Sequence, residues 1–441
     1  MNRSQRVIIG IIGIAMIAWG INLYLYPIKL GAFPIRKELI NITGVISFLM
    51  MGVIMLLAIR PKWLDRYLGL DKMYHLHKWA GIWAIVFAGL HYVIKICKPV
   101  LQFFFEQGQR VKGARPELTG LQGWLDQYVG FAKDVGEYLV YFLLVVLVLT
   151  LWNKFSYKIW RYTHKLMAPV FLLLAIHAVV LTPWNYWFQP LGILVGLAVV
   201  IGSVCAVVSM LGLIGKTSTH AGKVLEVKQL GNCIEVTCKL SGEWQHKAGQ
   251  YAFFKHDRLE GAHPFTISSA DEGDNVVRFS IKALGDYTKY LQNNIHAGDR
   301  VEVEGPYGLF DYQRSQSSQQ VWIGGGIGIT PFIAWVESMI QNNDHETQVD
   351  FYYCACNEQE ADYANYLKTL CESLPNVRLH VHCSDVAGYL TADKLMQDSN
   401  EKISDIWFCG PSGFAKKLKS DLKERYETVA PNFHQEMFQM R

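Results

Sequence analysis

The chain has 441 residues, of which 51% are hydrophobic and 18% charged, with a formal net charge of +4. This length exceeds that of one ordinary domain. The small net charge excludes nucleic-acid binding as the expected function, and the composition excludes disordered and collagen-like chains. Long apolar runs extend to about Ile214, whereas charged residues and short alternating runs follow from Lys216 onward. We therefore expect a membrane-embedded half followed by a water-soluble half.

Six apolar stretches in the first half approach the roughly 20 residues that one crossing of a bilayer needs. They are 7–26, 39–59, 74–96, 135–152, 162–181 and 191–214. The first is too long for the core of a signal peptide and is expected to remain as a membrane helix. Basic residues are densest before the first stretch, between the second and third, and between the fourth and fifth. The positive-inside rule then predicts an inner-membrane protein whose soluble half lies in the cytoplasm.

Four histidines fall on these apolar stretches, where ionisable residues usually have a function. His77 and His91 lie 14 residues apart in the third stretch, and His164 and His177 lie 13 residues apart in the fifth. Both separations correspond to about 20 Å along a helix. If the two helices face each other, His77 pairs with His164 and His91 with His177. Each pair could then bind a haem iron from both sides, which favours electron transfer.

The helical period supports the first spacing better than the second. Fourteen residues at about 100° each return His91 to the face of His77. Thirteen residues leave His177 rotated by roughly 140° from His164. Pro169 lies between these two and can kink the helix, which would restore a common face. The alternative is that the histidines are ordinary polar residues that hydrogen-bond between helices, but four at matched depths favour metal ligation.

The second half contains two different strand patterns. From Gly222 to about Phe310, short strands alternate with glycine-containing polar turns, which predicts a small antiparallel β-barrel. From Gln320 onward, short apolar strands alternate with helix-like segments, as in an α/β, doubly wound parallel sheet. The expected multi-domain architecture is a six-helix transmembrane bundle at 1–216, an antiparallel β-barrel at 217–315 and a doubly wound α/β domain at 316–441.

Two motifs in the barrel region suit a flavin. The segment HPFTISS can lay an aromatic ring beside a flavin and bond the ring edge through a hydroxyl and backbone groups. Its candidate residues are His263, Pro264, Phe265, Thr266, Ser268 and Ser269. The segment GDYT precedes a helical stretch, so backbone N–H groups near Gly285 and the hydroxyl of Thr288 could receive a pyrophosphate. Each motif alone would be an ordinary turn, and it is their order and spacing that favour the flavin.

A glycine-rich turn, GGGIGITP, follows the strand VWI and leads into a helix, as at the phosphate-binding end of a dinucleotide site. Its candidate residues are Gly324, Gly325, Gly326, Gly328, Thr330 and Pro331. Cys409, Gly410 and Pro411 end the last parallel strand, where ligands approach such sheets. Cys409 is then expected near a nicotinamide ring, or else it is a small buried apolar residue.

The series HPFTISS, GDYT, GGGIGITP and CGP resembles the ferredoxin-NADP reductase superfamily. With six preceding spans and two histidine pairs, nearly the whole chain resembles the ferric reductase and NADPH oxidase family, in a bacterial-type short form. The resemblance implies electron transfer from NADPH or NADH through FAD and two b-type haems to an acceptor across the membrane. It also implies FAD binding by 263–266 and Thr288, and nicotinamide nucleotide binding at Gly324, Gly326, Gly328, Thr330 and Cys409. It implies a flavin-stacking aromatic at Phe438.

One departure from the family bears on the nucleotide. Family members that use NADPH have the pair Cys-Arg at the end of the second parallel strand. This chain has Cys356 and Asn357 there. An arginine binds a 2′-phosphate through two hydrogen bonds, which asparagine does not reproduce. Ser384 is a candidate phosphate contact, whereas Asp385 would repel a phosphate. We therefore expect the enzyme to use NADH, or both nucleotides.

The acceptor is the least determined part of the expected reaction. Lys95, one turn beyond His91, could pair with a haem propionate or attract an anion, or it could simply reach the membrane edge. Oxygen, giving superoxide, is the first expected acceptor and a ferric complex the second. A periplasmic protein or a quinone is a further alternative, and no protein partner is identified. In a different class of function, the spans are an anchor or a channel and the histidines are proton sites.

Overall fold

The computed structural model describes residues 3–105, 118–152, 157–256, 261–315, 317–398, 405–426 and 432–436. The chain forms two compact units, Met1–Lys62 with Lys72–Ile214 and Trp63–Asp71 with Gly215–Arg441. The second unit therefore includes a short segment, 63–71, that lies between the second and third apolar stretches in sequence. We call it the inserted segment.

The described chain before residue 215 is helical. Its helices are α1 (Arg3–Leu25), α2 (Ala32–Ala58), α3 (Lys62–Leu68), α4 (Leu70–Ile96), α5 (Lys98–Phe105), α6 (Gly120–Asp126), α7 (Val129–Leu151), α8 (Tyr157–Lys165), α9 (Met167–Leu181) and α10 (Pro190–Met210). Five helices of the described residues are long and apolar enough to cross a membrane, and they begin at Ser4, Ala32, Leu70, Tyr162 and Pro190. The remaining expected span, the fourth at 135–152, lies on α7, which carries Lys133, Asp134 and Glu137 near its start. The prediction of an apolar helical bundle in a membrane is confirmed, with five to six spans.

The fifth expected span is broken at Leu166. This residue separates α8 from α9. Its N–H donates to the carbonyl of Thr163 at 3.1 Å, three residues back as in a 3-10 turn, instead of four residues back as in an α-helix. Pro169 has no N–H for the carbonyl of Lys165, and its ring crowds that carbonyl. The helix is therefore irregular as expected, with the break three residues before the proline.

The α2 helix lies at the centre of the first unit. It packs against α1 and α10, while α9 packs against α7 and α10. The rings of Phe48 and Phe171 stack at 5.3 Å within this core. Hydrogen bonds join α2 to α4, among them those from Ser47 Oγ to the carbonyl of Ala84 at 2.8 Å and from Arg36 Nε to the carbonyl of Ile94 at 2.9 Å. These bonds hold α4, which carries two of the candidate histidines.

The barrel of the second unit is antiparallel, as predicted. Its strands are β1 (Thr219–Leu230), β2 (Cys233–Leu240), β3 (Tyr251–Lys255), β4 (His263–Thr266), β5 (Val276–Lys282) and β6 (Arg300–Tyr307), with α11 (Asp286–Asn294) before β6. The strand order is β4-β3-β6-β1-β2-β5, and a bridge between Ile267 and Phe279 joins the two ends. Residues such as Val236 and Phe279 are fully buried, and they fill the interior of the barrel.

The remainder of the second unit is a parallel sheet with helices, which confirms the predicted doubly wound domain. Its strands are β7 (Gln319–Gly325), β8 (Gln348–Ala355), β9 (Val377–Cys383), β10 (Asp405–Cys409) and β11 (Asn432–Gln435). Its helices are α12 (Thr330–Asn342), α13 (Ala364–Cys371), α14 (Ser384–Ala387), α15 (Ala392–Asp398) and α16 (Ser412–Arg425). The strand order is β11-β10-β7-β8-β9, so the winding direction reverses between β7 and β10. Ligands of such sheets bind at the carboxyl ends of the strands beside this reversal.

Candidate functional site

The histidines of α4 face those of α8 and α9 in two pairs. The ring centres of His77 and His164 are 6.0 Å apart, and those of His91 and His177 are 6.3 Å apart. Two imidazoles that bind one metal from opposite sides need ring centres about 6 Å apart, because each metal–nitrogen bond is about 2 Å. The structure therefore brings the predicted histidines together at the separation that axial ligation requires.

Backbone carbonyls orient both rings of the second pair. Nδ1 of His91 donates to the carbonyl of Ile40 at 2.9 Å, and Nδ1 of His177 donates to the carbonyl of Ala132 at 2.6 Å. Metal-bound histidines usually donate their second ring N–H to such a group, which fixes the tautomer and the ring orientation. Nε2 of each ring is then the nitrogen that carries the lone pair for a metal.

The first pair is oriented differently. His164 stacks on Trp160, with ring centres 4.9 Å apart and planes inclined by 23°. Nδ1 of His164 has no hydrogen-bond partner among the residues that the structure describes. The ring of His164 is therefore oriented by an aromatic contact rather than by a hydrogen bond to a backbone carbonyl.

Small residues make room around the histidine rings. A Cβ atom at Gly44 would lie 2.9 Å from Nδ1 of His91, and one at Gly136 would overlap the ring of His177. Gly81, one turn after His77, has no heavy atom within 4 Å of the position of a Cβ. Gly44 and Gly136 could not be predicted from the sequence, because their role depends on which helices face each other.

The donor set fits a haem better than a bare metal ion. Within the described ranges, no group of three or more His, Cys, Asp or Glu side chains could hold a metal. A protein-bound zinc ion takes three or four protein ligands. Paired histidines fit a metal that brings its own in-plane ligands, as haem iron does. The residues present therefore fit two axially ligated haems.

Lys95 forms an ion pair that the sequence did not indicate. Its Nζ lies 2.6 Å from Oε2 of Glu137, and the two side chains are 35% and 40% exposed. The hydroxyl of Tyr92 donates to Oε1 of Glu137 at 3.1 Å and also contacts the hydroxyl of Tyr141. The positive charge of Lys95 is thus balanced by a neighbouring carboxylate.

The strand β4 contains the first four residues of the candidate flavin segment. The ring of His263 stacks on Tyr287 of α11 at 3.9 Å. Pro264 and Phe265 pair with the middle of β3. Thr266 is buried, and its Oγ1 has no hydrogen-bond partner in the described part of the chain. Such a hydroxyl costs about 1–3 kcal/mol, and the edge of a flavin would satisfy it, so Thr266 fits the predicted role.

The two serines of this segment take part in the hydrogen bonding of the barrel itself. Ser268 is fully buried, and its Oγ donates to the carbonyl of Arg278 at 3.1 Å and accepts from Ser280 Oγ at 3.0 Å. Oγ of Ser269 accepts from the N–H of Arg278 at 3.2 Å. Their hydroxyls therefore stabilise the barrel, and a contact of these two residues with a flavin stays a prediction.

The start of α11 is capped by Thr288. Its Oγ1 accepts from the N–H groups of Leu284 and Gly285 at 2.9 and 3.0 Å and donates to the carbonyl of Gly285 at 3.0 Å. The hydroxyl thus stabilises the turn that presents the helix N-terminus. The N–H groups of the first helical turn have no partner within the helix, so they are the candidate donors to a pyrophosphate.

The glycine-rich turn packs closely against the turn after β10. A Cβ at Gly325 would lie 3.0 Å from Cδ of Pro411. One at Gly328 would overlap the carbonyl of Cys409 and lie 2.8 Å from the nitrogen of Gly410. Both turns therefore meet at the reversal of the sheet, and side chains are excluded there by backbone.

Other residues of the turn have different roles. Gly326 has φ +55°, and a Cβ there would meet no heavy atom within 4 Å, so this residue leaves open space at the turn. Gly324 packs against the start of α12, because its Cβ would lie 2.7 Å from Cδ1 of Ile329. Thr330 and Pro331 are buried at the first positions of that helix. The open side of the turn at Gly326 is the candidate phosphate site.

Cys409 is fully buried, and its Sγ donates to Oε2 of Glu436 at 3.9 Å. Burial, with the carboxylate of Glu436, raises the pKa of Cys409 well above its ordinary value. Burial, with the negative charge of Asp71, raises the pKa of Glu436. Oε1 of Glu436 is buried without a hydrogen-bond partner among the described residues. Both groups are therefore favoured in their neutral, protonated forms.

The sequence analysis did not predict Glu436, because a single carboxylate near the end of the chain has no distinctive pattern. Its position two residues before Phe438 was the one available signal. Phe438 itself lies outside the described residues.

Comparisons with known proteins support this division of the chain. The family model described as ferric reductase like transmembrane component matches residues 43–175. An FAD-binding domain matches 219–311, and an oxidoreductase NAD-binding domain matches 322–420. The three models match the three parts of the chain in the order expected from the motifs.

Several curated proteins are similar to this chain. A flavohemoprotein of Rhodopirellula baltica is 28% identical over 166 residues, covering 33% of this chain and 40% of that protein. NADPH oxidase 1 of Mus musculus is 26% identical over 250 residues, covering 45% and 42%. Respiratory burst oxidase homolog protein E of Arabidopsis thaliana is 26% identical over 218 residues, covering 43% and 22%. The matches thus span about half of these relatives or less.

Proposed function

We propose, from the premise that this chain belongs to the ferric reductase and NADPH oxidase family, that it is a transmembrane flavocytochrome. Its matched domains make it an NAD(P)H-dependent membrane oxidoreductase, which confirms the expected enzyme class. The proposal adds two b-type haems, nucleotide oxidation on the cytoplasmic side and an acceptor across the membrane. It rests on the two histidine pairs, whose ring centres are 6.0 and 6.3 Å apart.

The residues of the second unit would bind and orient the nucleotides. When bound, FAD accepts a hydride from the nicotinamide and gives single electrons, which haem iron can carry. The open turn at Gly326 would receive the pyrophosphate of the nicotinamide nucleotide. Thr266 would donate its unused hydroxyl to the flavin edge. Cys409 stays a neutral thiol at the end of β10, and Glu436 can hold a proton on its buried carboxyl group.

The residues of the first unit would hold the haems. His77 and His164 would ligate one iron, and His91 and His177 the other, each through Nε2. The carbonyls of Ile40 and Ala132 keep the rings of the second pair in this orientation. Haems held by two histidines each would supply electron transfer, and the histidines would keep them in place for it.

Oxygen is the acceptor that we propose, with superoxide as the product. Because Glu137 balances the charge of Lys95, this end of the bundle attracts an anion less than a free lysine would. That pairing favours a small neutral acceptor over an anionic ferric chelate. A ferric complex remains the second candidate, and a periplasmic protein or a quinone the third.

The nucleotide is proposed to be NADH, or both nucleotides. Oδ1 of Asn357 accepts from the N–H of Glu360 at 3.0 Å and stabilises the turn after β8. The N–H of Asp385 donates to the carbonyl of Cys356 at 3.0 Å, so an acidic residue adjoins the same end of the sheet. Neither side chain supplies the positive charge that a 2′-phosphate needs.

An anaerobic visible spectrum of the detergent-purified protein with FAD tests the proposal. We expect NADH or NADPH to produce the sharp reduced bands of b-type haem, and admitted air to reoxidise them with formation of superoxide. Slow reoxidation would direct the search to ferric iron or a protein acceptor. A protein with reducible flavin but without haem bands would contradict the proposal and leave a membrane-anchored flavin reductase. Spans that form a channel would likewise show no haem bands.

A further inference from the structure

A partly buried charged cluster joins the barrel to the doubly wound domain within the second unit. Arg278 lies on β5, and its side chain is 20% exposed. One terminal nitrogen of its guanidinium group donates to the carbonyl of Ser268 at 2.5 Å and to Oε1 of Glu337 on α12. Nε of Arg278 lies 3.6 Å from a second carboxylate, that of Glu235 on β2. A single arginine therefore links three segments of the unit.

Glu337 is saturated by contacts from both domains. Its Oε1 also accepts from the hydroxyl of Tyr366 at 2.7 Å, and its Oε2 accepts from the N–H of Ala270 at 3.1 Å. The guanidinium of Arg278 lies 5.9 Å from the ring centre of Tyr366. Both carboxylate oxygens are thus fixed in position, and the side chain is 17% exposed.

The cluster is attached to the two segments that must meet in hydride transfer. Ser268 and Ala270 follow Thr266, whose buried hydroxyl is the candidate contact to the flavin edge. Glu337 lies on α12, which begins directly after the glycine-rich turn. Arg278 and Glu337 therefore connect the flavin segment with the helix that positions the nicotinamide nucleotide.

Stability alone is a weak explanation for such a pair. Removing charges from water is costly, and an apolar pair of similar size is often as stable as a buried ion pair. The hydrogen bonds of Arg278 and Glu337 with both domains instead specify one relative placement of these domains. Other polar contacts join the same two domains nearer the solvent, such as Lys282 with Glu360 at 3.4 Å.

We propose that Arg278 and Glu337 are positioning residues for hydride transfer, which fix the flavin edge at a reactive distance from the nicotinamide. This inference rests on the proposed function only in that the second unit binds FAD and NAD(P)H. Hydride transfer is sensitive to such placement, because a displacement of 1 Å can lower a rate by about 100-fold. The pair touches neither nucleotide in this proposal, so it acts through the segments that it joins.

Anaerobic stopped-flow reduction of the flavin in the detergent-purified full chain tests this role. In Glu337→Gln we expect the rate constant at saturating NADH to fall by about tenfold or more. The NADH concentration giving half the maximal rate should change by less than about twofold, because the nucleotide contacts remain. Reduction by dithionite and the flavin content should match those of the parent protein. Arg278→Lys keeps the positive charge but not the planar geometry of the guanidinium. Its rate constant should therefore lie between that of the parent protein and that of Glu337→Gln.

Lys282→Met is the matched control, since it removes a more exposed contact between the same domains. Its rate constant should stay within about twofold of the parent value. An unchanged rate constant in both Glu337→Gln and Arg278→Lys would overturn the proposal. A loss that follows the loss of bound flavin or of folded protein would also overturn it, since it would indicate a merely structural role. The assay reads the flavin directly, so absence of haem would contradict the proposed function without affecting this result.

Discussion

The two units present their candidate cofactor sites in opposite ways. In the first unit, the groups that would bind a cofactor are side chains, such as His77 and His164, which lie on helices. In the second unit, much of the candidate surface is backbone, and glycines such as Gly326 and Gly328 expose it. The first site should therefore fail when an atom is removed, and the second when an atom is added. The predictions below test this difference.

The largest effect is expected from His77→Ala, which removes one ligand of the first pair. We expect the loss of about half of the b-type haem absorbance and of electron transfer to the acceptor, because one of two irons loses an axial ligand. Reduction of the flavin by NADH should continue. A pyridine haemochrome assay and the reduced spectrum measure the change.

His75→Ala is the control on the same helix. His75 is hydrogen-bonded to Ser4 at 2.9 Å and accepts from Trp79 at 3.2 Å, and it belongs to neither pair. This variant should keep both haems. Equal haem loss in the two variants would show that helix damage, and not ligation, explains the result.

Gly328→Val should have the next largest effect, because the added atoms overlap the carbonyl of Cys409. We expect NADH-dependent flavin reduction to fall by about 100-fold and the free energy of unfolding to fall by about 3 kcal/mol. The haem absorbance should not change. Stopped-flow spectroscopy and thermal unfolding measure the two effects.

Gly326→Ala is a milder comparison in the same turn. A Cβ meets no heavy atom there, and the cost is that of φ +55° for a residue with a side chain. That cost is about 1 kcal/mol. If Gly326→Ala were as damaging as Gly328→Val, the close packing between the two turns would not explain the requirement for glycine.

Asp65 tests the inserted segment, which belongs to the second unit. Burial raises the pKa of Asp65 to about 6 from an ordinary value of 3.8, against backbone hydrogen bonds from Gly308 and Leu70 that lower it. Because the folded state holds the proton more tightly, ionisation of Asp65 destabilises the fold as the pH rises from about 4 to 6. The full effect is on the order of 3 kcal/mol above this range.

Asp65→Asn should therefore stabilise the protein at pH 8 and much less at pH 4.5. Thermal unfolding at the two pH values measures the difference. A constant difference between variant and parent at both values would refute the assigned ionisation.

The smallest effect is expected from Lys95→Met. A half-exposed ion pair contributes about 0–1 kcal/mol, and its charge is already balanced by Glu137. We expect reoxidation by oxygen to slow by less than about threefold and flavin reduction to stay unchanged. Glu137→Gln is the partner variant, since it leaves the lysine charge unbalanced. A loss of more than tenfold in Lys95→Met would assign this residue a direct role in acceptor reduction.

Periodic and local features of the molecule could be predicted from the sequence. The spacing of His77 and His91 predicted their common face, and the strand before Gly324 with the helix after it predicted the nucleotide end of the sheet. Pro169 predicted an irregular helix, although the break falls at Leu166, because the carbonyl that loses its partner lies one turn earlier. These predictions needed one element at a time.

Features that depend on which elements meet could not be predicted. Gly136 matters because α7 passes the ring of His177, and Glu436 matters because the end of the chain returns to Cys409. The hydrogen bond from Ser268 to the carbonyl of Arg278 likewise depends on how the barrel closes. Nothing in the composition of the inserted segment indicates that it belongs with the second unit.

On one side the two histidine pairs lie on a single continuous helix, α4, and on the other side they lie on two separate helices, α8 and α9. Because α4 carries one histidine of each pair, a displacement of this helix would move a ligand of both pairs. On the other side, Leu166 separates α8, which carries His164, from α9, which carries His177. We therefore expect substitutions in α8 to affect the pair of His77 and His164 more than the pair of His91 and His177. A change in α4 is thus expected to affect both histidine pairs, whereas a change in α8 or α9 is expected to affect mainly one of them.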